Sequence, residues 1–415
     1  MRRALTMFDA LCLGVNAVVG SGVYLFPGTL AQRLGPASLV AWLLTGVLCL
    51  PLALTFASLG TMEDRTGGSF RYAELAFGKG IAFVVGWSAW VTSVISWAAV
   101  ADALPSYLTP FAPSLGVEPY GRIVPPVLVL GLAALNVRGV KPSARLLDAF
   151  TALKLVPLVF FVVVGLAAVR AAEFRPFAPH GLKALPAMAL MTVFAYQGFE
   201  VVGVPSGEVR EARRVVPRAV LWSLFFPALL YLFVQLVFVG IGARASGAPL
   251  VDAARTLAGG TGATLLALGG VVSMLGFNAG TALCTPRYLQ ALAEEGLLPR
   301  ALANVHPRYA TPAVAIVASG AVTAVIAELF DFEHLVDMAA LAVLAQYLAS
   351  SAALVRLGKG RLRLLGVVSV LVSLSFGAQG ELAPLAILGG LTLAGVALAA
   401  LTRFFARARR LSPDR

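Results

Sequence analysis

The chain has 415 residues, of which 59% are hydrophobic and only 13% charged, and its mean hydropathy is +0.87. An ordinary soluble domain carries about 25% charged residues, so this composition excludes a soluble protein and predicts one embedded in a lipid bilayer. The net charge of +12 does not indicate a nucleic-acid partner, because the basic residues lie in short loops between apolar stretches.

Apolar stretches long enough to cross roughly 30 Å of hydrocarbon recur along the whole chain. Charge clusters and Gly/Pro positions divide them into twelve. They cover residues 9–34, 37–60, 80–104, 123–137, 148–170, 185–206, 216–241, 263–294, 312–330, 335–356, 362–377 and 382–405. We therefore predict an all-α integral membrane protein with twelve transmembrane helices, in which residues 1–415 form one transporter domain.

The distribution of Lys and Arg predicts the orientation, because short cytoplasmic loops hold an excess of both residues. With both termini on the inside, the inner loops collect 24 of the 32 basic residues and the outer loops seven, while Lys154 lies within a span. We expect a multi-pass protein of the cytoplasmic (inner) membrane with cytoplasmic termini.

Two spans carry glycine near the middle, where a membrane helix normally keeps its hydrogen bonds. The segments are Val18 to Val23 in span 1 and Ala195 to Glu200 in span 6. Non-helical backbone at this depth is tolerated where it is buried in protein or lines a cavity. Spans five apart lie in opposite orientations, and interrupted helices at matching places of two inverted halves indicate a transporter's binding site. Close helix packing through small residues is the alternative interpretation.

Four groups of residues carry a resemblance to the amino acid–polyamine–organocation (APC) superfamily, over nearly the whole chain. They are Gly20 to Val23 with Phe26 to Gly28; Gly67 to Tyr72 with Ala76 to Gly78; Phe194 to Glu200 with Gly207 to Val209 and Val216 to Ala219; and Ala293 to Pro299 with His306, Pro307, Thr311 and Pro312. After Glu208 the chain departs from the family pattern, since Arg210, Glu211 and Ala212 replace the usual proline.

The resemblance implies a five-plus-five inverted-repeat (LeuT-like) fold with spans 1 and 6 broken. The first repeat would cover residues 9–170 and the second residues 185–358, with two additional helices in residues 362–405. It also implies secondary active amino acid transport by alternating access around a site in the middle of the membrane.

A broken helix offers a partner to each charged group of an amino acid. Amides at a half-helix N-terminus bind a carboxylate, and freed carbonyls accept from an ammonium group. The glycines allow close approach, and by resemblance the carbonyls belong to spans 1 and 6. The predicted substrate-binding residues are Val18, Val19, Gly20, Ser21, Gly22, Val23, Ser93, Phe194, Ala195, Tyr196, Gly198, Phe199 and Thr281.

The side chains expected around this site include no obvious charge, with Ser93 in span 3 and Thr281 in span 8 as polar candidates. A charged substrate side chain would need an opposite charge in so dry a place. We therefore expect neutral, small to medium L-amino acids, and a cationic amino acid or polyamine exchanger is the alternative. Tyr196 and Phe199 border the break, and by resemblance an aromatic residue there forms a thin gate toward the outside.

Two charged residues are candidates for coupling or gating. Glu200 either stabilises the start of the second half-helix of span 6 or acts as a gate or proton carrier. Lys154 either extends to the cytoplasmic surface or points inward toward spans 1 and 8. By resemblance, an inward ammonium group would take the place that sodium occupies in cation-coupled relatives. This predicts a sodium-independent carrier, coupled to protons or working as an exchanger.

Other classes remain as alternatives: a sodium-coupled transporter of the same fold, a channel, or an amino acid sensor. A membrane enzyme is disfavoured, because the sequence has no phosphate-binding loop, nucleophile elbow or metal-ligand cluster. No catalytic residue, cofactor or metal is expected. The expected partners are the amino acid, the lipid bilayer and protons as the candidate coupling ion, and the sequence indicates no particular partner subunit.

Overall fold

The computed structural model describes residues 3, 5–65, 67–138, 144–309 and 311–411. Three of the 24 basic residues counted on the inside, Arg2, Lys141 and Arg415, lie outside these ranges. Within the described chain the α-helices are α1 Met7–Val18, α2 Gly22–Leu34, α3 Ser38–Met62, α4 Ser69–Phe77, α5 Lys79–Leu108, α6 Tyr120–Val137, α7 Ala144–Leu166, α8 Leu185–Tyr196, α9 Ala212–Gly240, α10 Pro249–Glu294, α11 Ala313–Leu329, α12 Phe332–Leu357, α13 Arg361–Gly377 and α14 Leu382–Leu411. Short 3₁₀ helices cover Gly35–Ala37, Pro113–Gly116, Ala171–Phe174, Phe199–Gly203, Ser206–Glu208 and Arg300–Ala303.

The helices have the length and composition of membrane spans. In the described part of the chain, nine helical stretches are long and apolar enough to cross a bilayer, and the first, Met7–Met62, contains α1, α2 and α3. Helix α11 is a shorter apolar helix. All twelve apolar stretches predicted from the sequence overlap helices, and the first and sixth each contain two helical segments. The prediction of an all-helical, multi-pass membrane protein is confirmed.

Local structure explains the start of α1 and the unusual length of α10. Thr6 and Asp9 form a capping box at the start of α1, where the Thr6 amide donates to the Asp9 carboxylate over 2.7 Å. Helix α10 is longer than its predicted apolar stretch because a second helical segment precedes it. The two segments meet at Ala258 and Gly259, whose backbone is not helical.

The outward face of the bundle is apolar, as expected for contact with lipid. On α7, for example, Leu153, Val156, Val159 and Val163 are each at least half exposed. Helix α5 is enclosed by other helices, since most of its residues are buried. Helix α5 therefore lies in the interior of the bundle.

Ion pairs join several loops at one end of the bundle. Lys79 Nζ lies 2.7 Å from one oxygen of Glu295, and Arg71 Nη1 lies 3.2 Å from the other. The hydrogen bond from Lys79 lowers the pKa of Glu295, so this group stays ionised at neutral pH. Arg3 also contacts Asp64 over 2.8 Å. The contacts of Glu295 tie α4 and α5 to the end of α10, and the Arg3–Asp64 pair ties the N-terminal segment to the loop after α3.

Candidate functional site

The first break separates α1 from α2, as the sequence predicted. Helix α1 ends at Val18 and α2 begins at Gly22. The amides of Ser21, Gly22 and Val23 have no hydrogen-bond acceptor among the described residues. The Ser21 hydroxyl is fully buried and also lacks a partner there. Four unpaired donors at a helix N-terminus form an arrangement suited to an anion.

The second predicted break is present in span 6. Helix α8 ends at Tyr196, Gln197 is extended, and the chain resumes as a 3₁₀ helix at Phe199. Gly198 has a φ of 121°, a backbone conformation that L-residues rarely adopt. A Cβ atom there would lie 2.6 Å from the backbone carbon of Ala17. Glycine is needed because the second break packs directly against α1.

Contacts between the two breaks make them one unit. A Cβ added at Gly22 would lie 2.8 Å from the Cβ of Ala195, so Gly22 serves close packing as well as access to its amide. The Tyr231 hydroxyl, from α9, lies 2.9 Å from the Val18 carbonyl oxygen and 3.1 Å from that of Ala195. One tyrosine thus binds the last turns of both α1 and α8. The sequence analysis did not identify Tyr231.

Glu200 lies immediately after the second break and is buried. Its Oε2 accepts hydrogen bonds from the Gly198 amide over 2.8 Å and from the Tyr347 hydroxyl over 3.0 Å. This geometry matches the predicted stabilisation of the second half-helix. The same side chain also forms part of a cavity wall, so a gating role remains a prediction.

The Lys154 ammonium points inward, and its side chain is fully buried. Its Nζ donates to the carbonyl oxygens of Val19 over 2.7 Å and Asn16 over 3.1 Å. Ser273 of α10 approaches the same Val19 oxygen over 3.2 Å. The alternative in which Lys154 extends to the membrane surface is therefore wrong. The Lys154 amino group lies against the carboxyl end of α1, where the helix dipole favours the charged form.

A cavity of about 80 Å³ lies beside the breaks, between α1, α5, α10 and the 3₁₀ helix of span 6. It is small compared with the roughly 300–1,000 Å³ of sites for drug-sized ligands, and so suits a small substrate. Its wall contains Leu13, Asn16, Ala17, Ala89, Thr92, Ser93, Ser96, Gln197, Gly198, Glu200, Val201, Phe277, Gly280, Thr281, Cys284, Tyr288 and Gln346.

Four of the predicted site residues lie in this wall: Ser93, Gly198, Glu200 and Thr281. The other predicted residues are not in this wall, namely Val18, Val19, Gly20, Ser21, Gly22, Val23, Phe194, Ala195, Tyr196 and Phe199, together with Lys154. Phe277 separates the first break from the cavity, because its ring is the nearest neighbour of a Cβ built on Gly20, at 3.5 Å.

Two wall residues carry unpaired polar atoms that the sequence analysis missed. Asn16 Oδ1 and Gln197 Oε1 are buried and have no hydrogen-bond partner among the described residues. The Gln197 amide nitrogen donates to Ser96 Oγ over 3.1 Å, which leaves its oxygen as an acceptor. The signal that could have identified them was the presence of a side-chain amide, which is polar, close to the glycines of each broken membrane span.

Aromatic residues fill the space on the other side of the breaks. The Phe26 ring centroid lies 6.0 Å from that of Phe194 and 6.2 Å from that of Phe332. Phe199, expected near an outer gate, stacks on Tyr347 at 5.4 Å instead, and the Tyr196 hydroxyl donates to the Trp42 carbonyl over 2.9 Å. We call Phe26, Phe194 and Phe332 the aromatic layer, and Phe194 is the span 6 residue that contacts both of the others. Among the described residues, no group of three or more His, Cys, Asp or Glu side chains could hold a metal ion.

Comparison with known proteins identifies the family. A family model described as amino acid permease matches residues 5–410. A methylthioribose transporter of Bacillus subtilis is 28% identical, over 82% of this chain and 79% of its own length. The cationic amino acid transporter 4 of Mus musculus is 32% identical over 84% of this chain and 58% of its own. The serine/threonine exchanger SteT of Bacillus subtilis is 30% identical over 76% of this chain and 74% of its own length. Because the family model spans nearly the whole sequence, this protein belongs to the amino acid permease family of the APC superfamily and is an amino acid transporter.

Proposed function

We propose that the protein is a secondary active transporter of neutral, small to medium L-amino acids that works by alternating access. The observation that supports this proposal is the pair of helix breaks packed against each other, with unpaired backbone amides at the first break and a small cavity beside both. A carrier needs a site that holds its substrate and can be reached from either side in turn.

The substrate's two charged groups would bind at different places. The carboxylate would bind the amides of Ser21 to Val23 and the Ser21 hydroxyl. The carbonyls of Val18, Val19 and Ala195 already accept hydrogen bonds from protein groups. The unpaired oxygens of Asn16 and Gln197 are therefore the additional acceptors for the ammonium group.

The membrane arrangement that supports this mechanism has twelve spans in a five-plus-five inverted repeat, with residues 9–170 and 185–358 as the halves and residues 362–405 as two additional helices. Both termini lie in the cytoplasm of a cell whose inner membrane holds the protein. The excess of basic residues in the proposed inner loops supports the orientation. The two breaks, in the first and sixth spans, support the inversion.

Coupling would use Lys154 in place of a sodium ion. Its ammonium lies against the Val19 and Asn16 carbonyls at the end of α1. A bound sodium ion would need such carbonyl oxygens as ligands, and the lysine already occupies them. Transport should then be sodium-independent and either proton-coupled or an exchange.

A cationic amino acid is the second candidate substrate. The carboxylate of Glu200 is in the cavity wall, and the mouse relative of 32% identity is named for cationic amino acids. The Oε2 atom of that carboxylate already accepts hydrogen bonds from the Gly198 amide and from Tyr347, so Glu200 has a structural role at the second break. We therefore favour the neutral class, for which the serine/threonine exchanger and a branched-chain permease of Bacillus subtilis are precedents among the relatives.

A thermal-shift screen of the twenty amino acids on the purified protein would find ligands. Uptake of these ligands by proteoliposomes, with and without sodium and at two pH values, would then test the mechanism. We expect saturable uptake of neutral amino acids, independent of sodium and accelerated by substrate on the opposite side. Linear, non-saturating flux would indicate a channel, stabilisation without flux would indicate a sensor, and a strict sodium requirement would contradict the coupling proposal. Strong competition by arginine or lysine would favour the cationic class.

A further inference from the structure

One face of α9 changes from basic to apolar along its length. Residues three or four positions apart share a helix face. This spacing places Arg214, Arg218, Leu221, Phe225 and Leu232 on one side of α9. A single stripe thus begins with arginines and continues into side chains that suit hydrocarbon.

The arginines line a pocket of about 320 Å³ at the start of α9. Its wall contains Thr6, Met7, Arg210, Glu211, Arg214, Val215 and Arg218. Arg210 and Arg218 form no ion pair with any described residue, and Arg214 lies 3.5 Å from Glu211 in a highly exposed pair. Three arginines face one glutamate, so the pocket carries excess positive charge.

The apolar part of the stripe lines a groove of about 250 Å³ between α3 and α9. Its wall contains Trp42, Leu43, Gly46, Val47, Leu50, Tyr196, Leu221, Leu224, Phe225, Ala228, Leu229 and Leu232. Leu43, Val47 and Phe225 are each more than half exposed at its rim. In a bilayer such a groove faces lipid and is filled by hydrocarbon.

In the proposed membrane orientation, the pocket and the groove would lie at the depths of a lipid headgroup and its tail. Trp222 stacks on Phe226 with ring centroids 5.0 Å apart, and both side chains are exposed one to two turns after Arg218. Exposed tryptophan is enriched at the membrane interface. The 29 residues of α9 would span about 43 Å, which exceeds the roughly 30 Å of hydrocarbon and leaves its first turns among the headgroups.

We propose that an anionic phospholipid binds along this face, with its phosphate among the three arginines and one acyl chain in the groove. Guanidinium groups match phosphate oxygens in geometry and charge, and the cytoplasmic leaflet supplies anionic lipids. The acyl chain of the lipid would contact Tyr196, the last residue of α8, so the lipid would reach the second helix break. The proposal rests on the proposed membrane orientation and is independent of which amino acid is carried.

Native mass spectrometry of the purified full chain tests this site with phosphatidylglycerol and phosphatidylcholine of identical acyl chains. We expect selective retention of phosphatidylglycerol. The double variant Arg214→Gln/Arg218→Gln should reduce that retention about tenfold or more, since each basic residue near the surface attracts anionic lipid. Arg213→Gln is the matched control, because Arg213 lies off this face and points toward Asp64 at 3.9 Å. Equal retention of both lipids, or unchanged retention by the double variant, would refute the site.

The contact between the acyl chain and the groove needs its own test, because the phosphate group of a lipid and free inorganic phosphate would bind the arginines in the same way. Ala228→Phe fills the groove and should weaken phosphatidylglycerol binding, whereas Ala397→Phe, on the exposed face of α14, should not. Millimolar inorganic phosphate should fail to displace the lipid. Complete displacement by phosphate, or unchanged lipid binding in Ala228→Phe, would reduce the site to an anion pocket and overturn the proposal.

Discussion

Single side chains complete the hydrogen bonding that the helix breaks leave open. Lys154 donates to Val19 and Asn16, and Tyr231 lies within hydrogen-bond distance of Val18 and Ala195. Unpaired carbonyls inside a membrane protein cost free energy, so these donors stabilise a backbone that would otherwise be unfavourable. Their removal should therefore affect both the breaks and transport.

Lys154→Ala should reduce transport by about tenfold or more, because charged hydrogen bonds to two buried carbonyls are lost. Proteoliposome uptake of the best ligand measures the effect, with the amount of folded protein checked by size-exclusion chromatography. Lys154→Arg is the control that retains a positive charge, and it should insert and express normally. Flux and pH dependence like those of the wild type in Lys154→Ala would show that this lysine has no part in coupling.

Tyr231→Phe removes one hydroxyl group and leaves the Val18 and Ala195 carbonyls without that donor. We expect a lower midpoint of thermal unfolding, equivalent to about 1–3 kcal/mol for a buried group left unpaired. Tyr120→Phe is the matched control, since Tyr120 is half exposed and should tolerate the change. Equal midpoints for the two variants would show that Tyr231 does not hold the breaks together.

At the scale of elements, the sequence predicted the places where helices break better than the groups that complete the breaks. Glycine in an apolar span and the matching positions in spans 1 and 6 were sufficient to locate both. Tyr231 could not be identified in this way, because it is one apolar-span tyrosine among several and its role depends on the packing of α9. Phe194 and Phe199 are five residues apart, and only the geometry of the break decides which one joins the aromatic layer.

Gly198→Ala should disrupt the second break in two ways. Alanine strains a residue with a φ of 121°, at a cost of about 1–3 kcal/mol, and its Cβ would meet Ala17 at 2.6 Å. We expect loss of both ligand-induced thermal stabilisation and transport. Gly296→Ala separates these causes, because Gly296 also has a positive φ, of 73°, but no atom lies within 4 Å of its added Cβ. If both variants lost the same activity, contact with α1 would not explain the effect.

For the whole molecule, the cavity and the aromatic layer lie on opposite sides of the breaks. The cavity wall uses α1 before its break and the 3₁₀ helix after the break in span 6. With cytoplasmic termini, both of these segments lie in the cytoplasmic half. Phe26, Phe194 and Phe332 fill the opposite half. In the proposed orientation, the structure would therefore correspond to a state closed toward the outside, with its cavity on the cytoplasmic side.

Thiol labelling in a background without native cysteines would test this state. A membrane-impermeant reagent should modify Val201→Cys, in the cavity wall, much faster from the cytoplasmic side, because the aromatic layer blocks the other route. Ser114→Cys, in the exposed segment between α5 and α6, should react only from the outside and thereby report the orientation. Substrate should slow labelling of Val201→Cys by occupying the cavity, without changing Ser114→Cys. Faster labelling of Val201→Cys from the outside, with Ser114→Cys still reacting there, would show that the resting transporter opens outward. Ser114→Cys labelled only from the cytoplasm would instead reverse the orientation of the whole bundle.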